Sequence, residues 1–333
     1  MKGLLTYTDS GIYCPQGDFF IDPWKPVGKA LITHAHADHA RPGHQSYLAQ
    51  TLNKEILKLR LGADIRLELL NYGSSTSING VNISFHPAGH IWGSSQIRLE
   101  YKGEVWVASG DYNVENDGFS GAFEPVKCHT FITETTFGLP VFKWKPQSEV
   151  IAQINDWWRA NAAEGKTSVL CAYALGKAQR ILHNIDHSIG KVFVQGAVAN
   201  VNQALERDGA KLPSWVYASP EIDKKEYRDS LVITPSSSVG TSWMRKFQPY
   251  EVATVSGWMQ IRGIKRRRNS GQGFVMSDHA DWDGLNQAIV DTGAERVYVT
   301  HGYTDVFRKW LEQQGLEAGI VETKFEGEVL ENQ

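Results

Sequence analysis

The chain has 333 residues, of which 41% are hydrophobic and 21% charged, values typical of a globular protein of about two domains. Its 34 basic and 37 acidic residues give a formal net charge of −3, so composition provides no general attraction to nucleic acid. No run of about 18 apolar residues would cross a bilayer, and the N-terminus lacks a signal-peptide pattern. We therefore expect a cytoplasmic protein with no membrane association, whose 3 scattered cysteines are core thiols.

The first part of the chain is predicted to consist mainly of short strands. Between Asp18 and His34, two short apolar runs are separated by prolines and a glycine, which indicates strand, turn and strand. A helix is expected to begin at Asp38. Further strands are predicted over 81–89, 95–101, 104–111 and 130–135, each ending in a turn-forming residue or at a polar position.

After Pro140 and Pro146 the pattern changes to alternating helices and strands. Helices are predicted over 149–165 and 176–186, and strands over 167–175, 191–196, 215–219 and 230–235. Such alternation predicts βαβ units and a parallel sheet. Over 273–302 a strand, a helix and a strand return, so the middle of the chain looks inserted into a domain formed by the two ends.

The strongest chemical signal is the run His34-Ala35-His36-Ala37-Asp38-His39, where a strand is predicted to end. Chance produces this pattern on the order of 10⁻³ times in such a chain. His34 and His36 alternate as they leave the strand and can converge on one ion, while Asp38 and His39 can face a second. Imidazole suits zinc, and carboxylate oxygen suits zinc or manganese, so the run predicts two adjacent divalent metal sites.

Two more residues at strand ends can complete such a site. His90 closes the segment ISFHPAGH, and Asp111 closes the segment EVWVASGD. Either residue alone would more often be a turn or capping residue than a ligand. Together with the run at 34–39 they supply the side chains that a dinuclear site needs, with Asp111 as a candidate bridging carboxylate.

With these motifs the chain resembles the metallo-β-lactamase fold hydrolases, and in particular their nucleic-acid-processing β-CASP branch. The motifs of the fold match, in order, Asp22, residues 34–39, His90 and Asp111. The motifs of the branch match Glu134, His279 and His301. The resemblance covers nearly the whole chain, and the segments YCPQGDFFIDPWKP, THAHADHARPGH and TFITETTFGLP look further like the bacterial DNA-ligase-associated exonucleases.

The resemblance implies an α/β protein: an αββα metallo-β-lactamase sandwich formed by residues 1–145 and 270–333, with an α/β β-CASP domain inserted at 146–269. It implies one metal ion held by His34, His36, His90 and Asp111. It implies a second held by Asp38, His39, Asp111 and His301. The implied catalytic residues are Asp38, Glu134 and His279, with Glu134 and His279 paired beside the scissile phosphate and Asp22 orienting the metal ligands.

The activity implied by the resemblance is a metal-dependent phosphodiesterase that degrades DNA from an end, by attack of a hydroxide held by zinc or manganese ions. We expect a 5′ exonuclease for DNA repair or ligation, functionally associated with a DNA ligase. An RNA-processing nuclease is the alternative, because RNA-directed members of the branch usually have histidine where this chain has His301. A small-molecule thioester or lactam hydrolase would have little use for Glu134 and His279, and a non-enzymatic binding homologue would tend to lose metal ligands.

Three segments outside these motifs are candidate contacts for nucleic-acid phosphates. Lys177 follows Gly176 at a predicted helix start, where free N–H groups and an ammonium suit an anion. Ser236 lies in a polar turn that ends in glycine. Arg266, Arg267 and Arg268 belong to a run of basic residues. An ordinary turn and a solvated charged face are the competing interpretations.

Overall fold

The computed structural model describes residues 3–261 and 272–324. These residues form two compact units. The first unit contains residues 3–143, 207–209 and 278–324, and the second contains residues 144–206, 210–261 and 272–277.

The strands of the described residues, in chain order, are β1 (Thr6–Thr8), β2 (Gly11–Cys14), β3 (Phe19–Ile21), β4 (Lys29–Ile32), β5 (Ser46–Gln50), β6 (Leu67–Leu70), β7 (Ser75–Ile78), β8 (Val81–Pro87), β9 (Ser95–Tyr101), β10 (Glu104–Ala108), β11 (Thr130–Thr135), β12 (Thr167–Cys171), β13 (Val192–Val194), β14 (Val216–Tyr217), β15 (Leu231–Thr234), β16 (Tyr250–Val255), β17 (Gln272–Phe274), β18 (Arg296–Gly302) and β19 (Glu317–Ile320). The α-helices are α1 (Lys54–Leu61), α2 (Gln147–Ala163), α3 (Lys177–Asn184), α4 (Gly196–Arg207), α5 (Trp282–Thr292) and α6 (Thr304–Gln313). None of these helices combines the length and apolar character needed to cross a bilayer.

The first unit is built on two sheets that share a core. One sheet has the order β1-β2-β3-β4-β5-β6, and the other has the order β19-β18-β11-β10-β9-β8-β7. Alternate residues of a strand point to one face, and β8 buries Val81, Ile83 and Phe85 in this way. These side chains pack in one cluster with Ile21 and Leu31 of the other sheet. Burial of such side chains stabilises the pairing by about 1.5–3 kcal/mol each.

Helices cover the opposite face of the second sheet. Phe131 of β11 and Val297 of β18 lie in one buried cluster with Leu285 of α5 and with Phe307 and Leu311 of α6. The strands β10, β11 and β18 are parallel neighbours. Their carboxyl ends therefore lie at one edge of the sheet, which is where polar side chains can meet.

The second unit contains a sheet of order β14-β13-β15-β12-β16-β17 in which every pairing is parallel. The prediction of a parallel sheet in the middle of the chain is confirmed. Ile154 and Trp158 of α2 and Ile181 of α3 pack on one face. Tyr227 and Phe247 lie in the cluster on the other face. Both faces are thus buried, as parallel sheets require.

The prediction that a helix begins at Asp38 is wrong. Residues 36–40 form a turn instead, in which the amides of His39 and Ala40 donate to the carbonyl of His36. Pro42 and Gly43 follow too closely for a helix to propagate, because proline lacks the N–H donor and glycine loses the most entropy. The first α-helix among the described residues is α1.

Candidate metal centre

The candidate metal ligands come from loops that follow strands of the first unit. His34, His36 and His39 lie just after β4, and His90 lies just after β8. Asp111 follows β10. Buried strands deliver these side chains to a common place, and all five are buried.

The structure brings together the four residues predicted to hold one metal ion. One potential ligand atom from each of His34, His36, His90 and Asp111 lies within 4.8 Å of the others. His90 Nε2 is 3.1 Å from His36 Nδ1, and His34 Nε2 is 3.5 Å from Asp111 Oδ2. His34 Nε2 is buried and has no hydrogen-bond partner among the described residues. Three imidazoles and a carboxylate around such an atom can hold a divalent metal ion.

Asp22 organises two of the imidazoles. Its Oδ1 accepts a hydrogen bond from the amide of Thr33, and its Oδ2 accepts hydrogen bonds from the Thr33 hydroxyl and, at 2.8 Å, from His39 Nδ1. Because the Thr33 hydroxyl donates to Asp22, its oxygen can accept from His34 Nδ1, which is 3.0 Å away. In the neutral rings these bonds leave the lone pairs on Nε2, the atoms that face Asp111.

His90 is oriented in the same manner by a backbone group. Its Nδ1 donates to the carbonyl of Asp278 at 2.9 Å, so its Nε2 is left to bind a cation. Burial, reinforced by the neighbouring His279, lowers the pKa of His90. Burial and the nearby His39 hold the pKa of His34 well below its usual range. Both rings are therefore neutral at pH 7, and neutral imidazole is the form that binds metal.

The residues predicted for a second metal ion are arranged more loosely. His39 Nε2 lies 3.4 Å from Asp111 Oδ2 and 3.8 Å from Asp38 Oδ2, and His301 Nε2 lies 3.3 Å from Asp111 Oδ1. Neither Asp38 nor His301 belongs to a group of described residues whose ligand atoms all lie within 4.8 Å of one another. Oδ2 of Asp111 thus faces His34 and His39, while Oδ1 faces His301, and a carboxylate between these imidazoles would be able to contact two ions.

Asp111 is ionised in this surrounding. Burial raises its pKa, but the charges of His39 and His301 outweigh burial, and the pKa lies well below the usual range. Burial lowers the pKa of His39, but the charges of Asp111 and Asp38 more than offset it and hold that pKa well above the usual range. A proton on His39 therefore balances the buried carboxylate, and a divalent cation could take over that balancing role.

Glu134 and His279 form a buried pair beside the metal ligands. His279 Nδ1 lies 2.7 Å from Glu134 Oε2 and 3.0 Å from Oε1. The carboxylate also accepts hydrogen bonds from the amide of Tyr112 at 2.8 Å and from the hydroxyl of Thr136 at 2.6 Å. Burial lowers the pKa of His279, but the charge and hydrogen bond of Glu134 outweigh it and raise the pKa to about 9. The pair can hold a proton on an imidazole at neutral pH.

Comparisons with known proteins show which proteins this chain is similar to. No protein-family model matches the chain. The chain is 28% identical over 314 residues to a protein named "Probable DNA ligase" from Opitutus terrae, a match that covers 93% of this chain and 30% of that protein. It is 31% identical over 123 residues to the endoribonuclease YSH1 of Candida albicans, covering 36% of this chain and 14% of that protein. It is 26% identical over 170 residues to the endoribonuclease ysh1 of Schizosaccharomyces pombe, covering 50% of this chain and 21% of that protein.

The chain therefore spans less than a third of the length of each of these relatives. A solved structure is also similar, that of a protein of unknown function from Enterococcus faecalis V583. Its TM-score is 0.59 at 13% sequence identity, and the match covers 88% of this chain and 78% of that one. The two proteins share a fold.

The residues predicted to contact phosphates lie elsewhere in the chain. Lys177 and Ser236 belong to the second unit. Lys177 is the first residue of α3, has 0% exposure, and places Nζ 5.2 Å from the ring centroid of Tyr173. Ser236 is partly buried at the start of a short 3-10 turn. Arg266, Arg267 and Arg268 lie outside the described residues.

Sequence reasoning missed two threonines that contact the predicted site residues. Thr33 joins Asp22 to His34, and Thr136 lies between Glu134 and His301. The available signal was their position, directly before the histidine run and two residues after Glu134. Threonine is common at strand ends, so position alone did not distinguish them.

Proposed function

We propose that the chain is a metal-dependent nuclease of the metallo-β-lactamase fold and its β-CASP branch, and that it degrades DNA from a 5′ end. The observation that carries the proposal is the buried cluster of His34, His36, His90 and Asp111 next to the Glu134–His279 pair. The similarity to endoribonucleases supports nuclease chemistry. In this proposal the first unit corresponds to the αββα domain of residues 1–145 and 270–333, and the second to the inserted domain of residues 146–269.

Two divalent ions are the cofactors of the proposal, with zinc or manganese as the candidates. His34, His36, His90 and Asp111 would hold one ion, and Asp38, His39 and His301 would share Asp111 for the other. When bound, the ions supply Lewis acidity, which activates water and offsets the charge of a phosphodiester. For the first ion, the chain contributes the neutral imidazoles of His34 and His90 and the ionised carboxylate of Asp111.

Glu134 and His279 provide the proton chemistry of the proposal. Glu134 contacts Nδ1 of His279, so in this proposal the ring acts on a substrate through its other nitrogen, Nε2. A ring whose pKa is raised to about 9 carries a proton on that nitrogen at pH 7. It can donate this proton to the leaving oxygen or to a charged phosphate oxygen. Tyr112 and Thr136 keep the Glu134 carboxylate in place through their hydrogen bonds.

DNA is the proposed substrate because the relative whose match covers 93% of this chain is named "Probable DNA ligase". That name also supports a functional association with DNA ligation. RNA is the second candidate, since the endoribonuclease matches cover 36% and 50% of the chain and His301 is a histidine. A small-molecule hydrolase is disfavoured, because it would have little use for the Glu134–His279 pair.

The proposal is tested with end-labelled single strands of DNA and RNA of one sequence, each with a free or a blocked 5′ or 3′ terminus. Manganese and zinc are titrated separately into metal-free protein. We expect removal of nucleotides from DNA with a free 5′ end and none from strands blocked there. Glu134→Gln keeps the shape of the side chain but removes its charge, and should lower the rate by about 10²- to 10⁴-fold.

The control for Glu134→Gln is a measurement of the metal bound by the variant. Glu134 is not one of the four residues proposed to hold the first ion, so the variant should retain that ion in elemental analysis. Cleavage of RNA alone would establish the second candidate instead. Cleavage of strands blocked at both ends would contradict the exonuclease proposal, and hydrolysis of neither polymer would contradict nuclease activity.

A further inference from the structure

We propose that Thr136 is a positioning residue that competes with the second metal ion for His301 and connects that histidine to the Glu134–His279 pair. The inference rests on the proposed function, since it concerns the second metal position. Thr136 directly follows β11 and is 3% exposed. Its Oγ1 lies 2.6 Å from Glu134 Oε2 and 2.9 Å from His301 Nε2.

The direction of these two hydrogen bonds follows from the groups involved. An ionised carboxylate only accepts hydrogen bonds, so the Thr136 hydroxyl donates its single proton to Glu134. The hydroxyl oxygen then has only lone pairs to offer His301. The hydrogen bond between Thr136 and His301 therefore requires a proton on Nε2 of His301, with Thr136 as the acceptor.

A metal ion needs the lone pair of the nitrogen that it binds. Of the two ring nitrogens of His301, Nε2 is the one that lies 3.3 Å from the bridging candidate Asp111. The hydrogen bond to Thr136 and ligation of a metal by Nε2 therefore exclude each other. Binding of a second ion must break this bond and displace the proton.

The arrangement of the ligands agrees with this competition. The first four ligands already lie within 4.8 Å of one another, whereas His301 belongs to no such group among the described residues. The first position is therefore preorganised and the second is completed only when His301 leaves Thr136. The two ions should bind in sequence, with the second weaker than the first.

The same hydroxyl links metal binding to the proton-donating pair. Oε2 of Glu134 accepts from both Thr136 and His279. When His301 moves away, the Thr136 oxygen no longer accepts from Nε2, while its O–H group still donates to Glu134. Binding of a second metal ion would therefore change the hydrogen bonds around Glu134 through the buried side chain of Thr136.

The test compares Thr136→Val, which keeps the shape and removes the hydroxyl, with Thr136→Ser, which keeps the hydroxyl. Mn²⁺ is titrated into metal-free protein by calorimetry, and bound metal is counted by elemental analysis. We expect the second ion to bind about fivefold more tightly to Thr136→Val, as expected for loss of one competing hydrogen bond. The first ion should bind unchanged, and Thr136→Ser should match the wild type.

A double-mutant cycle tests whether the effect of Thr136 on metal binding depends on His301. In a His301→Ala background, Thr136→Val should leave metal binding unchanged, because the competing nitrogen is absent. Side-chain ¹⁵N NMR of the metal-free protein offers a readout without metal: His301 should carry its proton on Nε2 in the wild type and in Thr136→Ser. Thr136→Val should shift that signal.

An unchanged or weaker second affinity in Thr136→Val would overturn the inference, as would weaker binding of the first ion. A metal-free His301 without a proton on Nε2 would do the same. If the wild type binds no Mn²⁺ or Zn²⁺ at all, the proposed function fails together with the inference. Two ions bound equally by the wild type and Thr136→Val would overturn the inference alone.

Discussion

At the scale of single residues, Asp22 has the most demanding role around the candidate ligands. It is not a glycine, yet its φ is +42°, in the left-handed region that most side chains avoid. Its amide donates to the carbonyl of Leu31, and its carboxylate accepts from Thr33 and His39. Four hydrogen bonds thus hold a strained residue in place, and this favours a role in the site over a role in packing.

We expect Asp22→Asn to weaken metal binding about 10- to 100-fold, because an amide has only one oxygen: it cannot accept from the Thr33 amide, as Oδ1 of Asp22 does, and also from the Thr33 hydroxyl and His39 Nδ1, as Oδ2 does. Titration of metal against a chelator of known affinity measures the loss. Asp18→Asn is the matched control, since Asp18 also has a positive φ, +54°, but its carboxylate accepts from Tyr13 at the surface. Equal losses in the two variants would refute the role of Asp22.

At the scale of elements, the site depends on how β11 and β18 end. The two strands pair in parallel, and their register shifts between Glu134 and Thr135, so that Thr135 pairs with Gly302. The Thr135 hydroxyl lies within hydrogen-bond distance of the carbonyls of Thr300 and His301. The shift and this side chain place the end of β18 against Glu134 and Thr136.

We predict that Gly302→Ala destabilises the protein by about 1–3 kcal/mol more than Gly315→Ala. Both glycines have a positive φ, +85° and +86°, so both variants pay the same conformational cost. A Cβ at Gly302 would lie 2.2 Å from the backbone oxygen of Thr135, whereas a Cβ at Gly315 would meet nothing within 4 Å. Urea unfolding measures the difference, and equal midpoints and slopes would contradict the predicted clash.

At the scale of the whole molecule, all the candidate metal ligands belong to one of the two units. The histidine run, His90, Asp111 and His301 are all residues of the first unit, together with Glu134 and His279. Ligands that come from both ends of the chain are thus combined in a single folded body. Binding of a metal ion by these residues would therefore be thermodynamically linked to the folding of that unit.

A divalent metal at about 100 times its dissociation constant should stabilise the first unit by about 2.7 kcal/mol. Hydrogen exchange of the protein, with Mn²⁺ or with a chelator present, measures this stabilisation separately in each of the two units. Protection should rise in β10, β11 and β18 and stay unchanged in β12 and β15, which carry no candidate ligand. Equal changes in both sheets would contradict a metal site confined to the first unit.

Much of the fold was predictable because its signals are local. The strands at 95–101 and 130–135 have the predicted bounds, and the parallel sheet of the second unit follows from alternating helices and strands. The helix predicted at Asp38 failed because Pro42 and Gly43 outweighed the start signal. The domain boundaries and the roles of the candidate residues stay predictions. The structure adds the distances between those residues.

The sequence by itself determined which side chains could bind a metal, because imidazole and carboxylate chemistry and the spacing of residues 34–39 are visible in the chain. Only the tertiary structure decided which of these groups come together. Asp111 meets His34 and His301 because separate strands end at one place, and Thr33 and Thr136 join the cluster because their hydroxyls lie within 3.0 Å of its residues. Such contacts join residues far apart in the chain, and their distances depend on strand register and packing, which no local pattern encodes.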